Sequence, residues 1–342
     1  MRQTRLAALV IAALAVAVAA APAAAQAPLG EYAHCGAVAD ASIVDVSNAT
    51  CPEAQTVAAA LLTRPADQGP DVLRAAGWTP VRALVASDAE HDIVAIRGRA
   101  ALRIRRPGPA PDLDGWASGR ELIFARPALV SGGRVPSGAV LCSSAFLVRL
   151  STGRLGGLSA SHCGGLRRNG TTQRRNAGLR RPPEPGIILG RVVRNVERTR
   201  PLDALVLPVP SGLTRPASPI VDRGISRPPW TLAGTAQPFS GRRICFSGRT
   251  SGIDQCGRIA GRGARRGERL LSALAGTVVR CTTIRAREGD SGSGVYTAPR
   301  ADGSVRAVGI AVIVVGASAR MCFTPLLPVL SAVHASVVTA PR

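Results

Sequence analysis

The chain has 342 residues, a formal net charge of +22, and 46% hydrophobic but only 3% aromatic residues. That length holds one large or two moderate domains, with a core that Val, Leu, Ile and Ala have to fill. The charge does not point to nucleic acid: every basic residue is arginine, pairs such as Arg167-Arg168 and Arg265-Arg266 are scattered between apolar runs, and no aromatics are interleaved to stack bases.

Arg2 and Arg5, the apolar run 6–20 and the small residues Ala23-Ala24-Ala25 read as an export signal cut before Gln26, so residues 1–25 are expected to be removed. The run is shorter than the roughly 20 residues of a membrane span. The mature chain is therefore expected to be secreted, extracellular and free of the membrane.

Residues 26–105 form a first block, with a helical pattern over 54–62 and strand-like runs at 81–85 and 92–96. It reads as a small α/β domain, either a pro-region or an accessory module. Arg106-Pro107-Gly108-Pro109-Ala110-Pro111 breaks regular structure, and 106–129 is taken as a linker.

From 130 to 342, apolar runs at 140–150, 187–196, 204–209, 243–246, 277–281 and 305–315 alternate with Gly, Pro and Arg turns, which predicts an all-β domain. Pro325 to Val333 reads as a short helix with proline in its first turn.

Eight cysteines stand at Cys35, Cys51, Cys142, Cys163, Cys245, Cys256, Cys281 and Cys322. In an exported chain an even number without CxxC pairs favours disulfides over metal ligation, and no metal or other cofactor is implied. Eight cysteines allow 105 connectivities.

The richest segment is Glu288-Gly289-Asp290-Ser291-Gly292-Ser293-Gly294, preceded by Ser161-His162-Cys163 and by Leu202-Asp203-Ala204. A serine hydroxyl attacks a peptide carbonyl only with a base in reach and a third group fixing the tautomer of that base. His162 is the candidate base, because His34 and His91 fall in the first block and His334 follows the serine. Asp203 is the candidate orienter, because it borders an apolar run while Asp222 and Asp254 stand among turn residues and Asp290 adjoins the serine. The N–H groups of Gly289 and Ser291 are the candidate oxyanion donors.

With these motifs the chain resembles the chymotrypsin-like serine proteases, in particular their bacterial streptogrisin and α-lytic branch. The resemblance covers residues 130–342. It includes Val130-Ser131-Gly132-Gly133 near the expected mature start, Cys142-Ser143-Ser144-Ala145-Phe146, and Cys245-Phe246-Ser247-Gly248-Arg249-Thr250-Ser251-Gly252 leading to Cys256-Gly257. It implies two six-stranded antiparallel β-barrels with a C-terminal helix, and a monomer acting on protein or peptide substrates through an acyl-enzyme. It also implies disulfides pairing Cys142 with Cys163, Cys245 with Cys256 and Cys281 with Cys322, which leaves Cys35 and Cys51 for the first block.

Some positions depart from the family pattern. Ser161 replaces the usual Ala or Gly before the histidine, Ser293 replaces a glycine after the nucleophile, and Phe246 stands where relatives often carry an arginine that pairs with the aspartate of the serine loop. Asp290 then needs another partner, Arg249 or a backbone donor. The segment 282–288 is longer than expected, 311–316 lacks the usual Ser-Gly-Gly, and the place six residues before Ser291 holds Arg285 rather than an acid. Arg285, and the self-digestion that so arginine-rich a protease would suffer, argue against cleavage after basic residues and favour apolar or small side chains. The alternative reading is an inactive protease-fold protein whose basic surface holds cell-wall polymers or acidic partners.

Overall fold

The computed structural model describes residues 31–39, 41, 43–65, 68–87, 90–107, 116–125, 138–164, 176–181, 184–196, 200–209, 219–223, 227–261, 277–313 and 320–340. The expected export signal and the expected mature start at 130–133 lie outside them.

The first block is an α/β domain. Strands β1 (Ala33–His34), β2 (Ile43–Ser47), β3 (Thr79–Ser87), β4 (Glu90–Arg97) and β5 (Ala100–Pro107) form an antiparallel sheet in the order β1-β2-β5-β4-β3. Helices α1 (Cys51–Leu62) and α2 (Gly69–Ala75) lie between β2 and β3 in the chain. In α1, Ala54, Val57, Ala58 and Leu61 fall on one face at helical spacing and pack on Val44, Val46, Ile93, Leu102 and Ile104 of the sheet. Pro52 and Glu53 suit its first turn, but its last turn has no basic residue. Arg106, expected to begin a linker, is instead the buried penultimate residue of β5, and its guanidinium supplies that missing cap. It donates to the carbonyls of Leu61, in the last turn, at 3.1 Å and of Arg64, just past the cap, at 2.8 Å.

The expected linker also contains a strand. In β6 (Glu121–Ala125), Leu122 and Phe124 enter one apolar cluster while Ile123 and Ala125 join Ala139 and Leu141 in another, a period-two alternation with no proline to interrupt it. Trp116, just upstream, is buried in the same cluster as Phe124 and donates its indole N–H to the Ala145 carbonyl at 3.1 Å. These residues belong to the β-rich part of the molecule.

In that part, β7 (Val140–Ser143) and β8 (Leu147–Leu150) divide the run expected at 140–150. They are followed by β9 (Leu155–Ser159), β10 (Asn176–Arg181), β11 (Glu184–Arg191), β12 (Arg194–Asn195) and β13 (Leu205–Pro208). Next come β14 (Ile220–Val221), β15 (Trp230–Thr235), β16 (Arg243–Gly248), β17 (Gly252–Arg258), β18 (Arg280–Arg285), β19 (Gly294–Thr297), β20 (Ser304–Ile313) and β21 (Arg320–Pro325). The chain ends with α3 (Leu326–Val333) and β22 (Ala335–Val337), which returns to pair with β8.

The first half is built from two sheets, ordered β11-β10-β6-β7 and β12-β13-β9-β8-β22, and the second half from one sheet with the path β14-β15-β20-β19-β16-β17, to which β21 and β18 are added. The all-β expectation with a C-terminal helix and a preceding α/β domain holds. The two six-stranded barrels differ in detail: among the described residues the sheets do not close. Register shifts in the β16/β17, β18/β21 and β19/β20 pairs bend the strands from one layer toward the next.

A single apolar cluster runs from Phe124, Phe146 and Leu158 in the first half through Trp230 and Ile310 in the second to Leu326 and Val329 of α3. A separate core of Ile244, Phe246, Ile284, Val295, Val308 and Phe323 fills the second half. The α/β domain docks on this body through Val81, Val94, Ile96 and Ala101 against Ala117 and Ile220. Arg99 bridges to Asp302 at 2.5 Å alongside, and Arg120 donates to the Val81 carbonyl at 2.9 Å.

Candidate active site

Antiparallel pairing brings the histidine and the aspartate together. Strand β9 faces β13 with Ser159 opposite Leu205, so the chain leaving β9 lies beside the residues entering β13. A 3-10 turn, Ser161–Gly164, carries His162 there, and Asp203 is two residues ahead of Leu205. His162 Nδ1 lies 2.6 Å from Asp203 Oδ2. The other carboxylate oxygen, Oδ1, accepts from Ser161 N at 2.6 Å, Ser161 Oγ at 2.6 Å and His162 N at 3.1 Å. The Asp203 side chain is 7% exposed and that of His162 is 44% exposed, so the ring stands open while its partner is enclosed.

A carboxylate only accepts, which puts a proton on Nδ1 and leaves Nε2 as the basic nitrogen. Burial by itself would raise the Asp203 pKa. The facing His162 charge, together with hydrogen bonds from His162 and Ser161, outweighs it and holds the carboxyl down at about 2. Asp203 is therefore a fixed negative charge behind the imidazole at any ordinary pH.

The serine loop lies between β18 and β19. Asp290 N donates to the Arg287 carbonyl at 3.0 Å, and Ser293 donates both its N–H, at 3.1 Å, and its hydroxyl, at 2.7 Å, to the Asp290 carbonyl. The Asp290 carboxylate is fully buried and accepts from the backbone N–H groups of Thr250, Ser251 and Arg287, at 2.9, 2.9 and 2.8 Å, and from the Ser251 hydroxyl. Of the partners considered from sequence, backbone donors fill the role and Arg249 does not. Arg249 bridges instead to Glu121 at 3.0 Å, and Phe246 is spent on the apolar core.

Ser143, at the end of β7, ties this loop to the first half. Its N–H donates to the Ser291 carbonyl at 2.8 Å, and its hydroxyl donates to the Gly289 carbonyl at 3.0 Å while accepting from Arg249 N at 3.1 Å. The Ser159 hydroxyl donates to the Ser143 carbonyl at 2.9 Å, and Gly292 N donates to the Ala311 carbonyl at 2.8 Å. Gly289 has φ +96°, and neither its N–H nor that of Ser291 donates to another described residue.

All four disulfides implied by the resemblance and by elimination are formed: Cys35–Cys51, Cys142–Cys163, Cys245–Cys256 and Cys281–Cys322. The second backs the site. The Cys163 sulfur lies 3.9 Å from the Ser291 carbonyl oxygen, and a His162 ring nitrogen lies within 4.8 Å of both sulfurs of that bridge. Joined as a disulfide, these sulfurs offer no thiolate to a metal.

His162 and Asp203 are thus in direct contact, and the loop bearing Ser291 is docked against the segment that leads to His162. Ser291 is 7% exposed and its hydroxyl makes no hydrogen bond to a described residue. On the side expected to line a substrate pocket, Ile284 and Ala286 turn into the core, whereas Arg285 and Arg320 are exposed and opposite one another across β18 and β21. Of the expected far wall, only 311–313 falls within the described residues. Sequence reasoning assigns no role to Ser161 or Ser143. The signal for Ser161 was a hydroxyl directly beside the histidine; for Ser143 it was adjacency to a cysteine bridged beside that histidine.

No protein-family model matches the chain, and no curated protein matches it by sequence. Solved structures do. Thermobifida fusca protease A is 23% identical over 66% of this chain and 100% of its own, with a TM-score of 0.45. Nocardiopsis protease is 19% identical over the same shares at 0.45, and Cellulomonas bogoriensis chymotrypsin 20% identical at 0.40. The likeness to these bacterial proteases is one of fold.

Proposed function

We propose that the chain is a secreted serine endopeptidase, with Ser291 as nucleophile, His162 as general base and then acid, and Asp203 as the group that orients it. The observation that carries this reading is the enclosed Asp203 carboxylate, 2.6 Å from Nδ1 of a solvent-accessible imidazole, beside the docked serine loop.

His162 Nε2 takes the Ser291 proton as the oxygen attacks the substrate carbonyl, and Asp203 stabilises the imidazolium that forms. The developing oxyanion is held by the N–H groups of Gly289 and Ser291. His162 then hands the proton to the departing amine, which leaves an acyl-enzyme. Water, deprotonated by the same nitrogen, attacks the ester and restores the serine. No cofactor enters these steps.

The side chain on the acyl side of the cut is apolar or small, because the place where an acid would attract a basic residue holds Arg285. Four disulfides suit an exported protein, and no helix among the described residues is long and apolar enough to cross a membrane. The α/β domain serves as a pro-region or a retained module.

A fluorophosphonate probe applied to the secreted protein and to Ser291→Ala tests the assignment: label on the first alone is the expected result. Unlabelled wild type of correct fold would replace this reading with that of a binding protein. Digestion of a peptide library then gives the preferred residue.

A further inference from the structure

The residue before His162 is a serine, and its side chain is completely buried. The two backbone N–H groups that reach Asp203 Oδ1, from Ser161 and His162, would be present whatever that side chain was. The hydroxyl adds a third donor to the same oxygen, at 2.6 Å. A carboxylate torsion is broad and roughly two-fold, so a group with few partners rocks about its axis. Three donors on Oδ1 remove that freedom and leave Oδ2 facing His162 Nδ1.

We propose that Ser161 is a positioning residue of the proteolytic site, fixing the Asp203 carboxylate so that it holds His162 in the productive tautomer and orientation. The proposal rests on the serine-protease reading above. Ser161 acts through Asp203 and does not touch the reacting atoms. It also takes a share of the carboxylate charge, because a hydrogen bond to an anion disperses it. His162 is the charged group acting on Asp203, its chain neighbours Leu202 and Ala204 are buried apolar residues, and Asp290 of the serine loop is bonded to Thr250, Ser251 and Arg287.

The test compares wild type, Ser161→Ala, Ser161→Gly and Ser161→Thr as full secreted chains, each standardised by the fraction that fluorophosphonate labels. In Ser161→Ala, kcat is expected to fall about tenfold with KM nearly unchanged, the effect of one charge-assisted hydrogen bond where two others remain. The acid limb of the kcat/KM profile is expected to move to higher pH by about half a unit, because charge no longer shared with the hydroxyl falls on the imidazolium. Ser161→Thr, which keeps a hydroxyl, should recover most of both, and Ser161→Gly reads the same loss if the alanine variant does not fold. A merely structural role would lower activity at every pH alike and leave the limb in place. Labelled wild type with a Ser161→Ala or Ser161→Gly variant of unchanged kcat and unchanged limb overturns the proposal alone. Unlabelled wild type overturns the serine-protease reading, and the proposal with it.

Discussion

Gly292 and Ser159 compete for one volume: a Cβ on Gly292 would stand 2.3 Å from the Ser159 hydroxyl oxygen and 2.4 Å from the Ser143 carbonyl oxygen. Gly292, which follows Ser291, is also at φ +89°, where a side chain strains the backbone. The serine loop therefore sits as close to the end of β9, which leads into the histidine turn, as bare backbone allows. Gly292→Ala should push the loop outward by a good fraction of an ångström, and displacement on that scale costs on the order of 100-fold in rate. Labelling kinetics with the fluorophosphonate measure it, and a variant labelling at the wild-type rate contradicts the close docking.

Ser143 holds both ends of the Gly289-to-Ser291 turn, through its N–H and its hydroxyl. Ser143→Ala keeps the first bond and releases the Gly289 carbonyl, freeing the peptide that follows the N–H proposed as an oxyanion donor. A kcat lower by about tenfold, with KM little changed, is expected for a loosened transition-state contact. Steady-state kinetics on a peptide amide distinguish this from weaker substrate binding, which would raise KM instead.

The Asp203 carboxyl, held at about 2 against an ordinary 3.8, makes stability depend on acid. Its folded pKa is depressed, so its contribution is complete above pH 3.8 and is lost as pH falls through about 2. The displacement corresponds to roughly 2 kcal/mol. Wild type should lose about that much more stability between pH 4 and 2 than Asp203→Asn does, as read from denaturant unfolding at each pH. Parallel slopes for the two proteins would show that the buried pair does not supply the difference.

Trp116 fills the core of the first half from a position 14 residues before the start that the family motif suggests. Truncation to alanine should cost about 3–5 kcal/mol, the usual loss for a large buried aromatic. A chain begun at Val130 also lacks β6, the strand between β7 and β10, and is expected to yield no probe-reactive protein. Efficient labelling of that shortened chain would show the upstream segment to be dispensable.

What the sequence disclosed was chemistry that acts at short range or in a fixed order. Helix α1 was visible because Ala54, Val57, Ala58 and Leu61 repeat at its own period, and Pro325 to Val333 because proline is compatible with a first helical turn. His162 and Asp203, which the structure puts in contact, stood out because few histidines and aspartates competed with them. Strand β6 was lost among prolines and glycines: five residues give a weak alternation, and its partners β7 and β10 are remote in the chain. Arg106 read as the edge of a linker because its acceptors, Leu61 and Arg64, lie more than forty residues away. The partners of Asp290 were open for the same reason, since a segment near residue 250 supplies backbone donors to it.

The seam between the α/β domain and the β-rich body gives the question of processing a material side. Val81, Val94, Ile96 and Ala101 are kept from water by Ala117 and Ile220, so parting the two domains would wet an oily patch on each. A chain that discarded its leading domain would carry that adhesive spot in the open, beside the segment whose Ala117 carbonyl accepts from the Ser144 hydroxyl. One that kept the domain would carry a built-in cover.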